Sequence, residues 1–322
     1  MRPVTRVAAV DCGTNSIRLL VTDLDPGAGT QADVTRLMRV VRLGEGVDAT
    51  GRLSDAALAR TFAAVDEYAG LLRDLGAQHV RFVATSASRD ASNADVFVAG
   101  VRERLGVEPE VVPGEEEAAL SFTGAVRELA SSQAGPWCVV DIGGGSTEVV
   151  VGDRLPGPTG EGLRSRSVDV GCVRLTERHL HGDPPTREQV EAARADVEAA
   201  LDAVEEVVDL RGVRALVGLA GSVTTVTAEA LGLRGYDSAR IHGAELPVPV
   251  VLDAAERLLV ADRDARAARG FMHPGRVDVI GAGALVWQQV LRRVAARSGV
   301  ATARASEHDI LDGVAWSLLD RR

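Results

Sequence analysis

A short apolar run that ends in Asp and enters a glycine-containing turn occurs twice in this chain. The first is Val7–Val10, followed by Asp11 and Gly13, and the second is Trp137–Val140, followed by Asp141 and three consecutive glycines. A single turn of this kind is usually only a hairpin, but two copies 130 residues apart indicate an internal duplication. We therefore expect two related α/β lobes, each of which brings one glycine turn to a cleft between them.

The residues that follow each aspartate are suited to binding phosphate. Glycines let backbone N–H groups approach phosphate oxygens closely, and hydroxyl side chains add further donors. Carboxylates beside such a turn can hold a divalent cation, directly or through water. We therefore expect Asp11 and Asp141 to bind metal. The candidate phosphate-binding residues are Thr14, Asn15, Ser16, Gly143, Gly144, Gly145, Ser146 and Thr147.

A third glycine segment, residues 218–225, also leaves an apolar strand and enters a helical pattern. Its Gly221 and Ser222 are further candidates for phosphate binding. An ordinary strand-to-helix turn with a serine cap explains the segment equally well, so this assignment stays open.

The remaining sequence alternates between strand and helix patterns. Strands are predicted at residues 6–11, 17–23, 34–43, 79–84, near 111, 137–141, 148–151, 165–170 and 215–218. Helices are predicted at 54–75, 94–105 and 114–129, after the cap formed by Thr186 and Gln189, and from residue 218 to the end. The lobes are predicted to comprise residues 1–124 with about 306–322, and residues 125–305.

The overall charge restricts the ligands. The formal net charge is −10, whereas nucleic-acid-binding proteins need a basic face, so we expect no nucleic-acid partner. A polyanionic substrate would require local positive charge in the cleft. The weaker candidates for guiding such a substrate are Arg18, Arg174, Arg266, Arg269, Arg276 and His242.

The patterns of cysteine, histidine and apolar residues indicate no disulfide framework, no histidine metal site and no membrane span. Cys12, Cys138 and Cys172 are widely spaced within apolar runs, which predicts reduced core residues. The six histidines show no metal-ligand spacing. No apolar run approaches the length of a bilayer span, so we expect a cytoplasmic protein without membrane contact.

Several further motifs occur in a fixed order along the chain. They are Thr85–Ala91 (TSASRDA), Gly114–Ala118 (GEEEA), Asp141–Glu148 (DIGGGSTE), Gly171–Thr176 (GCVRLT), Arg276–Ile280 (RVDVI) and Leu311–Gly313 (LDG). With this set, the chain resembles the exopolyphosphatase and guanosine pentaphosphate phosphatase (Ppx/GppA) family over nearly all of its length. Kinases of the same superfamily lack the set.

The resemblance implies an α/β fold with two duplicated ribonuclease H-like lobes of the actin/Hsp70/sugar kinase superfamily and an interdomain cleft. It matches Glu117 to the catalytic base, Arg89 to a phosphate-binding arginine, and Glu148 to an acid that orients water or metal. It also implies Mg²⁺ as cofactor, with Mn²⁺ as a substitute, a monovalent cation as a further ligand, and a homodimer. Acidic residues in a first helical turn are favoured by the helix dipole without any catalysis, and the motif alone selects Glu117 over Glu116.

The function implied is exopolyphosphatase activity, the Mg²⁺-dependent hydrolytic release of terminal orthophosphate from inorganic polyphosphate, with short chains as the expected substrate. The alternative is removal of the 5'-gamma phosphate of guanosine pentaphosphate, which the sequence does not distinguish from the first. A more distant alternative is an ATP-binding actin-like kinase or filament protein, and a further one is an alarmone sensor without catalysis.

Overall fold

The computed structural model of the chain describes residues 4–129, 134–156 and 161–320. The first sheet has the strand order β3-β2-β1-β4-β5, with β1 Thr5–Cys12, β2 Ser16–Asp25, β3 Thr30–Val40, β4 His79–Ala84 and β5 Glu110–Val111. The second has the order β10-β11-β9-β6-β7-β8, with β6 Trp137–Ile142, β7 Thr147–Gly152, β8 Arg164–Val168, β9 Ala215–Leu219, β10 Glu245–Pro247 and β11 Thr302–Ala305.

Helices connect and cover the two sheets. Those of the first half are α1 Val47–Thr50, α2 Asp55–Leu75, α3 Ser86–Asp90, α4 Ala94–Leu105 and α5 Gly114–Leu129. Those of the second half are α6 Cys172–Arg178, α7 Arg187–Glu205, α8 Ala220–Ala230, α9 Ser238–Ile241, α10 Val248–Val260, α11 Arg263–Ala267, α12 Ile280–Ser298 and α13 Ile310–Asp320. A short 3-10 turn, Pro274–Arg276, precedes α12.

The two sheets share one connectivity. Strands β1, β2 and β3 form an antiparallel meander, and β4 adds parallel to β1 on its other side. Strands β6, β7 and β8 form the same meander, and β9 adds parallel to β6. Because the same order of antiparallel and parallel pairs recurs, the predicted duplication is confirmed.

Each predicted strand and helix up to β9 is present, but the short helices α1, α3 and α6 were not predicted, and the prediction differs further after β9. The capping box of α7 is present, since Thr186 and Gln189 each bond to the other's backbone N–H. The prediction of helices alone after residue 218 is wrong, because β10 and β11 pair at the edge of the second sheet. Strand β11, with the sequence Thr-Ala-Arg-Ala, has no apolar run, and its pairing with β9 rather than its own composition makes it a strand.

The central strands are buried on both faces, which explains their continuous apolar runs. In β1, Ala8 and Val10 pack with residues of α2 and α4, while Val7 and Ala9 pack with residues of α13. In β6, Val139 packs with residues of α5, and its neighbours on the strand pack into the core on the opposite face. The last helix of each half therefore covers the sheet of the other half.

The structure bears on two expectations, that the cysteines are reduced core residues and that no segment spans a membrane. Cys12, Cys138 and Cys172 are buried and free, as predicted for core residues. Among the helices of the described ranges, none combines the length and apolar character needed to cross a bilayer.

Two glycines let α5 and α13 cross at close range. A Cβ atom at Gly124 would overlap the backbone oxygen of Asp309, and one at Gly313 would overlap that of Leu120. Because α5 packs on the second sheet and α13 on the first, this crossing joins the lobes. The predicted lobe boundary at residue 124 falls within α5, and the division of the chain stays a prediction.

Replacement of Gly313 by Ala is expected to destabilise the protein by about 1–3 kcal/mol, because overpacking against a backbone oxygen cannot be relieved by a side-chain rotation. Chemical denaturation measures the shift in midpoint. The control is Gly212→Ala, since nothing lies within 4 Å of a Cβ atom at that position. Equal midpoints for the two variants would contradict the close crossing.

Candidate active site between the two lobes

The two glycine turns meet at one cavity. A Cβ atom at Gly144 would lie 2.8 Å from Cβ of Thr14 and 3.2 Å from the backbone nitrogen of Asn15, so the approach of the turns requires glycine. Asp11 and Asp141 line this same cavity. The facing arrangement expected from the duplication is therefore present.

The two turns share a backbone hydrogen bond, but the residues paired with their aspartates have opposite charges. Gly13 N–H donates to Ser16 O at 3.0 Å, and Gly143 N–H donates to Ser146 O at 3.0 Å. The residue paired with Asp11 across the first hairpin is Arg18. The residue paired with Asp141 across the second is Glu148. The duplicated positions thus place a cation beside the first aspartate and a second acid beside the second.

Asp11 is held from one side only. Its Oδ2 accepts from Arg18 Nε at 3.0 Å and from Nη2 at 2.6 Å. Its Oδ1 is buried and has no hydrogen-bond partner among the described residues, and the same holds for Oδ1 of Asn15. Burial raises the pKa of Asp11 above its ordinary value. A buried acceptor without a donor is the position that a cation or its bound water satisfies.

Asp141 and Glu148 form the acidic side. Asp141 Oδ2 accepts from Ser121 Oγ at 2.7 Å, and Glu148 Oε1 accepts from Ser167 Oγ at 2.7 Å. Burial raises the pKa of Asp141 to about 6. Burial, followed by the charge of Asp141, raises the pKa of Glu148 to about 7. Glu148 does not line the cavity directly.

Glu117 lines the cavity, and Glu116 does not. Glu117 is only 7% exposed and accepts from Arg89 Nη1 at 3.0 Å, and the same nitrogen donates to Val112 O at 2.9 Å. Burial and then the nearby charge of Glu148 raise the pKa of Glu117 well above its ordinary value. Glu116 is instead bound by Arg81 at 2.5 Å. The structure thus distinguishes two neighbouring glutamates that the sequence alone did not.

Most of the predicted phosphate-binding residues line the cavity. They are Thr14, Asn15, Ser16, Gly143, Gly144, Ser146, Gly221 and Ser222. Thr147 does not, because its hydroxyl donates to Val170 O at 2.6 Å. Gly145 belongs to the second turn but does not line the cavity, and a Cβ atom there would be 2.7 Å from the hydroxyl oxygens of Thr14 and Ser86. Arg89 is also absent from the lining, and its guanidinium holds Glu117.

The six candidates for guiding a substrate are divided by the structure. Arg18 and Arg276 line the cavity, and Arg276 packs over Gly221. Arg174 lies at its back, where Nε donates to Gly145 O at 2.8 Å and the other nitrogens bind Asp48 and Asp90.

The other three candidates do not line this cavity or its neighbour, and their guiding role stays a prediction. Arg266 is buried and donates to backbone carbonyls, including that of Leu258 at 3.0 Å. Arg269 is bound to Glu229 at 2.8 Å, and His242 lines neither this cavity nor its neighbour. Each has a structural partner that sequence spacing did not reveal.

A second cavity of about 500 Å³ adjoins the first and shares Arg18, Gly221 and Arg276 with it. Its other walls are partly apolar and aromatic, with Phe271 and Tyr236 among them. Asp309, which sequence reasoning missed, lines it and forms an ion pair with Arg18. Asp309 comes from the loop before α13, and only the exchange of helices between lobes brings it to Arg18.

The structure brings together two histidines that spacing along the chain did not relate. His242 and His308 lie 66 residues apart in sequence, yet their ring centroids are 4.6 Å apart, with the ring planes inclined by 35°. Both approach the carboxylate of Glu128, and the three side chains could hold a metal ion. Spacing along the chain carries no signal for a cluster whose members come from three separate segments.

The chain is similar in sequence and in structure to known phosphatases. The family model described as the Ppx/GppA phosphatase family matches residues 20–318. Exopolyphosphatase 2 of Mycobacterium tuberculosis is 50% identical over 322 residues, covering 98% of this chain and 99% of that protein. The crystal structure of an exopolyphosphatase-like protein superposes with a TM-score of 0.92 at 42% identity, covering 98% of both chains.

A second activity occurs among the relatives. The guanosine-5'-triphosphate,3'-diphosphate pyrophosphatase of Photobacterium profundum is 33% identical over 219 residues, which is 67% of this chain and 42% of that protein. The predicted fold class, two ribonuclease H-like lobes as in actin and Hsp70, is confirmed by the repeated sheet topology and by the structural match. The chain belongs to the Ppx/GppA phosphatase family.

Proposed function

We propose that this protein is an exopolyphosphatase, a phosphoric anhydride hydrolase that releases terminal orthophosphate from inorganic polyphosphate. The observation that carries the proposal is the buried carboxylate of Glu117 at a cavity bounded by two glycine turns and two buried aspartates. The relative with 50% identity is named an exopolyphosphatase, and relatives named for guanosine pentaphosphate are more distant. Short chains are the proposed substrates.

A divalent cation fits the residues present. Asp11 Oδ1 is a buried, unpartnered oxygen, and Asp141 contributes a second carboxylate to the same cavity. Hard oxygen donors of this kind suit Mg²⁺, with Mn²⁺ as a substitute. Asp11, Asp141 and, through water, Glu148 would hold the ion. When bound, the ion neutralises negative charge on the phosphate oxygens.

The chain's own residues then have distinct tasks. The backbone N–H groups of the two turns, with the hydroxyls of Thr14 and Ser146, bind the oxygens of the terminal phosphoryl group. Glu117 orients the attacking water and accepts its proton, and Arg89 fixes the Glu117 carboxylate. Arg18 and Arg276 bind the next phosphates of the chain. The leaving group is itself a phosphate of low basicity, so no general acid is needed.

The proposal is tested by the release of orthophosphate. Purified protein with Mg²⁺ is given short polyphosphate, long polyphosphate, guanosine pentaphosphate and ATP in separate reactions. Release should be fastest from short polyphosphate. Release from ATP alone would favour a kinase-like or filament protein, and binding of alarmone without release from any substrate would favour a sensor.

The second cavity supports one alternative substrate. Its volume of about 500 Å³ and its aromatic residues Tyr236 and Phe271 suit a nucleoside attached to phosphates in the first cavity. Guanosine pentaphosphate is therefore the second candidate. The same assay separates the two, since release from guanosine pentaphosphate at a higher kcat/KM than from polyphosphate would favour the alternative.

The homodimer stays a prediction, which light scattering of the purified protein checks.

Arg276→Ala is expected to raise KM for polyphosphate roughly tenfold or more at low ionic strength, because charge-assisted hydrogen bonds contribute about 1.5–3 kcal/mol. The effect should shrink at high salt, where exposed parts of the interaction are screened. Arg269→Ala is the matched control, since Arg269 is bound to Glu229 away from the cavity. Equal KM values for the two variants at low salt would contradict a substrate role for Arg276.

The stability of the metal-free protein should depend on pH through Asp141 and Glu148. Both pKa values are raised on folding, to about 6 and about 7. The folded state therefore holds more protons than the unfolded state between the ordinary carboxyl pKa values near 4 and these values. The contribution of these groups to stability is largest below that window and falls as pH rises through it.

Added Mg²⁺ should offset this loss, because it binds the ionised carboxylates. The increase in Tm caused by Mg²⁺ should thus be larger at pH 7.5 than at pH 5.5. Thermal unfolding with and without Mg²⁺ at the two pH values measures the difference. In Asp141→Asn the dependence of the Mg²⁺ effect on pH should be much reduced, and an effect independent of pH in the unmodified protein would contradict the assignment.

A further inference from the structure

Glu128, His242 and His308 form a second cluster of metal-ligating side chains, and none of them lines either cavity. We propose that this cluster binds a transition-metal ion such as Zn²⁺, and that the ion ties helix α5 to the loop that precedes α13. This site is separate from the carboxylates of Asp11 and Asp141 and does not depend on the proposed function.

The distances within the cluster are near those of a zinc site. Glu128 Oε2 lies 3.1 Å from His242 Nε2 and 3.6 Å from His308 Nδ1. Ligand atoms around a tetrahedral Zn²⁺ with bonds of about 2.0–2.1 Å lie roughly 3.3 Å apart. All three ligand atoms lie within 4.8 Å of one another. Small side-chain rotations would complete the geometry.

Hydrogen bonds join the two backbone segments that carry His242 and His308. Gly243 N–H donates to Ala305 O at 2.9 Å, and Ala305 N–H donates to Ala244 O at 3.0 Å. These bonds join the segment that follows His242 to the segment that precedes His308. Ser306 Oγ also donates to His308 O at 2.8 Å. These backbone hydrogen bonds hold the two imidazoles near each other, independently of the contact between the rings.

The donor set selects the class of metal. Two imidazoles and one carboxylate suit Zn²⁺, Ni²⁺ or Co²⁺, whereas Mg²⁺ requires oxygen ligands and retains its water. The side chains of His242, His308 and Glu128 are 31%, 34% and 63% exposed. An ion can thus enter from solvent, and water can occupy the fourth position.

Binding of the ion would act on the loop that lines the second cavity. The backbone N–H of Glu307 donates to His242 Nδ1 at 3.2 Å, so the ring proton of neutral His242 lies on Nε2, facing Glu128. Ligation through Nε2 moves that proton to Nδ1 and breaks the bond from Glu307. Since Glu307 and Asp309 line the second cavity, the backbone shift that accompanies binding reaches the cleft.

The test is a calorimetric titration of the full-length protein with Zn²⁺ in saturating Mg²⁺, which occupies the carboxylate site. The unmodified protein should bind one Zn²⁺ per chain at this cluster. His308→Ala should raise the Kd by at least about 100-fold, because a direct ligand is lost. His181→Ala is the matched control, since His181 is not part of the cluster and its Nε2 lies 3.1 Å from a backbone carbonyl, Arg178 O. It should bind Zn²⁺ as the unmodified protein does.

Two further measurements test whether the metal binds at this cluster. Co²⁺ in place of Zn²⁺ should give the visible absorption of a tetrahedral complex, and Glu128→Gln, a substitution at an exposed position, should abolish that absorption without affecting folding, as judged by circular dichroism. Absence of Zn²⁺ binding in the unmodified protein would mean a hydrogen-bonded cluster only. Equal affinity in His308→Ala would mean that Zn²⁺ binds at the carboxylates. Either result overturns the proposal.

Discussion

Glu117→Gln is expected to lower kcat for phosphate release by about 10²–10⁴-fold, the usual contribution of a general base, with a much smaller change in KM. The amide keeps the size of the side chain but cannot accept the proton of the attacking water. The burial of Glu117 raises its pKa and so makes it a stronger base when ionised. Steady-state kinetics with short polyphosphate and Mg²⁺ measure the effect.

Glu116→Gln provides the matched control for this experiment. Glu116 is the preceding residue of the same helix, but its carboxylate is bound by Arg81 rather than facing the cavity. Its replacement should change kcat by less than about fivefold, with any loss arising from stability. If Glu117→Gln itself lost less than fivefold, Glu117 would not be the base.

Asp141→Asn is expected to lower kcat/KM by about 10³-fold, since a bound cation contributes several kcal/mol to transition-state stabilisation. Asparagine retains one oxygen and the size of the side chain but removes the negative charge that offsets the charge of the ion. Much of the loss should appear as a higher Mg²⁺ requirement. The rate as a function of Mg²⁺ concentration and the direct binding of Mn²⁺ by calorimetry measure both parts.

Asp153→Asn is the control for this second prediction, because Asp153 is exposed just beyond the end of β7, the strand that pairs with β6. Its Mg²⁺ dependence should match that of the unmodified protein. If Asp141→Asn bound Mn²⁺ with unchanged affinity, Asp141 would not be a metal ligand.

The residues that sequence reasoning assigned correctly to the cavity are those whose position follows from local chain geometry. Asp11 and Asp141 end buried strands, and the turns that follow them have the same hydrogen bond between the first and fourth residues. A strand end and a tight turn are determined within about six residues, so the glycines and hydroxyls there could be placed from the sequence.

The guiding residues were harder to place, because long side chains reach partners far along the chain. Arg276 packs on the third glycine segment, whereas Arg266 turns inward to backbone carbonyls. Arg266 lies in the short helix α11, and Arg276 ends the 3-10 turn before α12. The difference between them arises from which neighbouring elements lie within reach, and this is a property of packing.

The sequence by itself determined the duplication, the two glycine turns and the motifs of the Ppx/GppA family, because period, strand ends and turn residues are local properties of the chain. Only the tertiary structure decided that Glu117 rather than Glu116 faces the cavity, that Asp309 meets Arg18, and that the rings of His242 and His308 lie together beside Glu128. These contacts follow from the exchange of α5 and α13 between the sheets. They join residues that are distant in sequence, and their energies depend on burial and mutual distance, which no local pattern specifies.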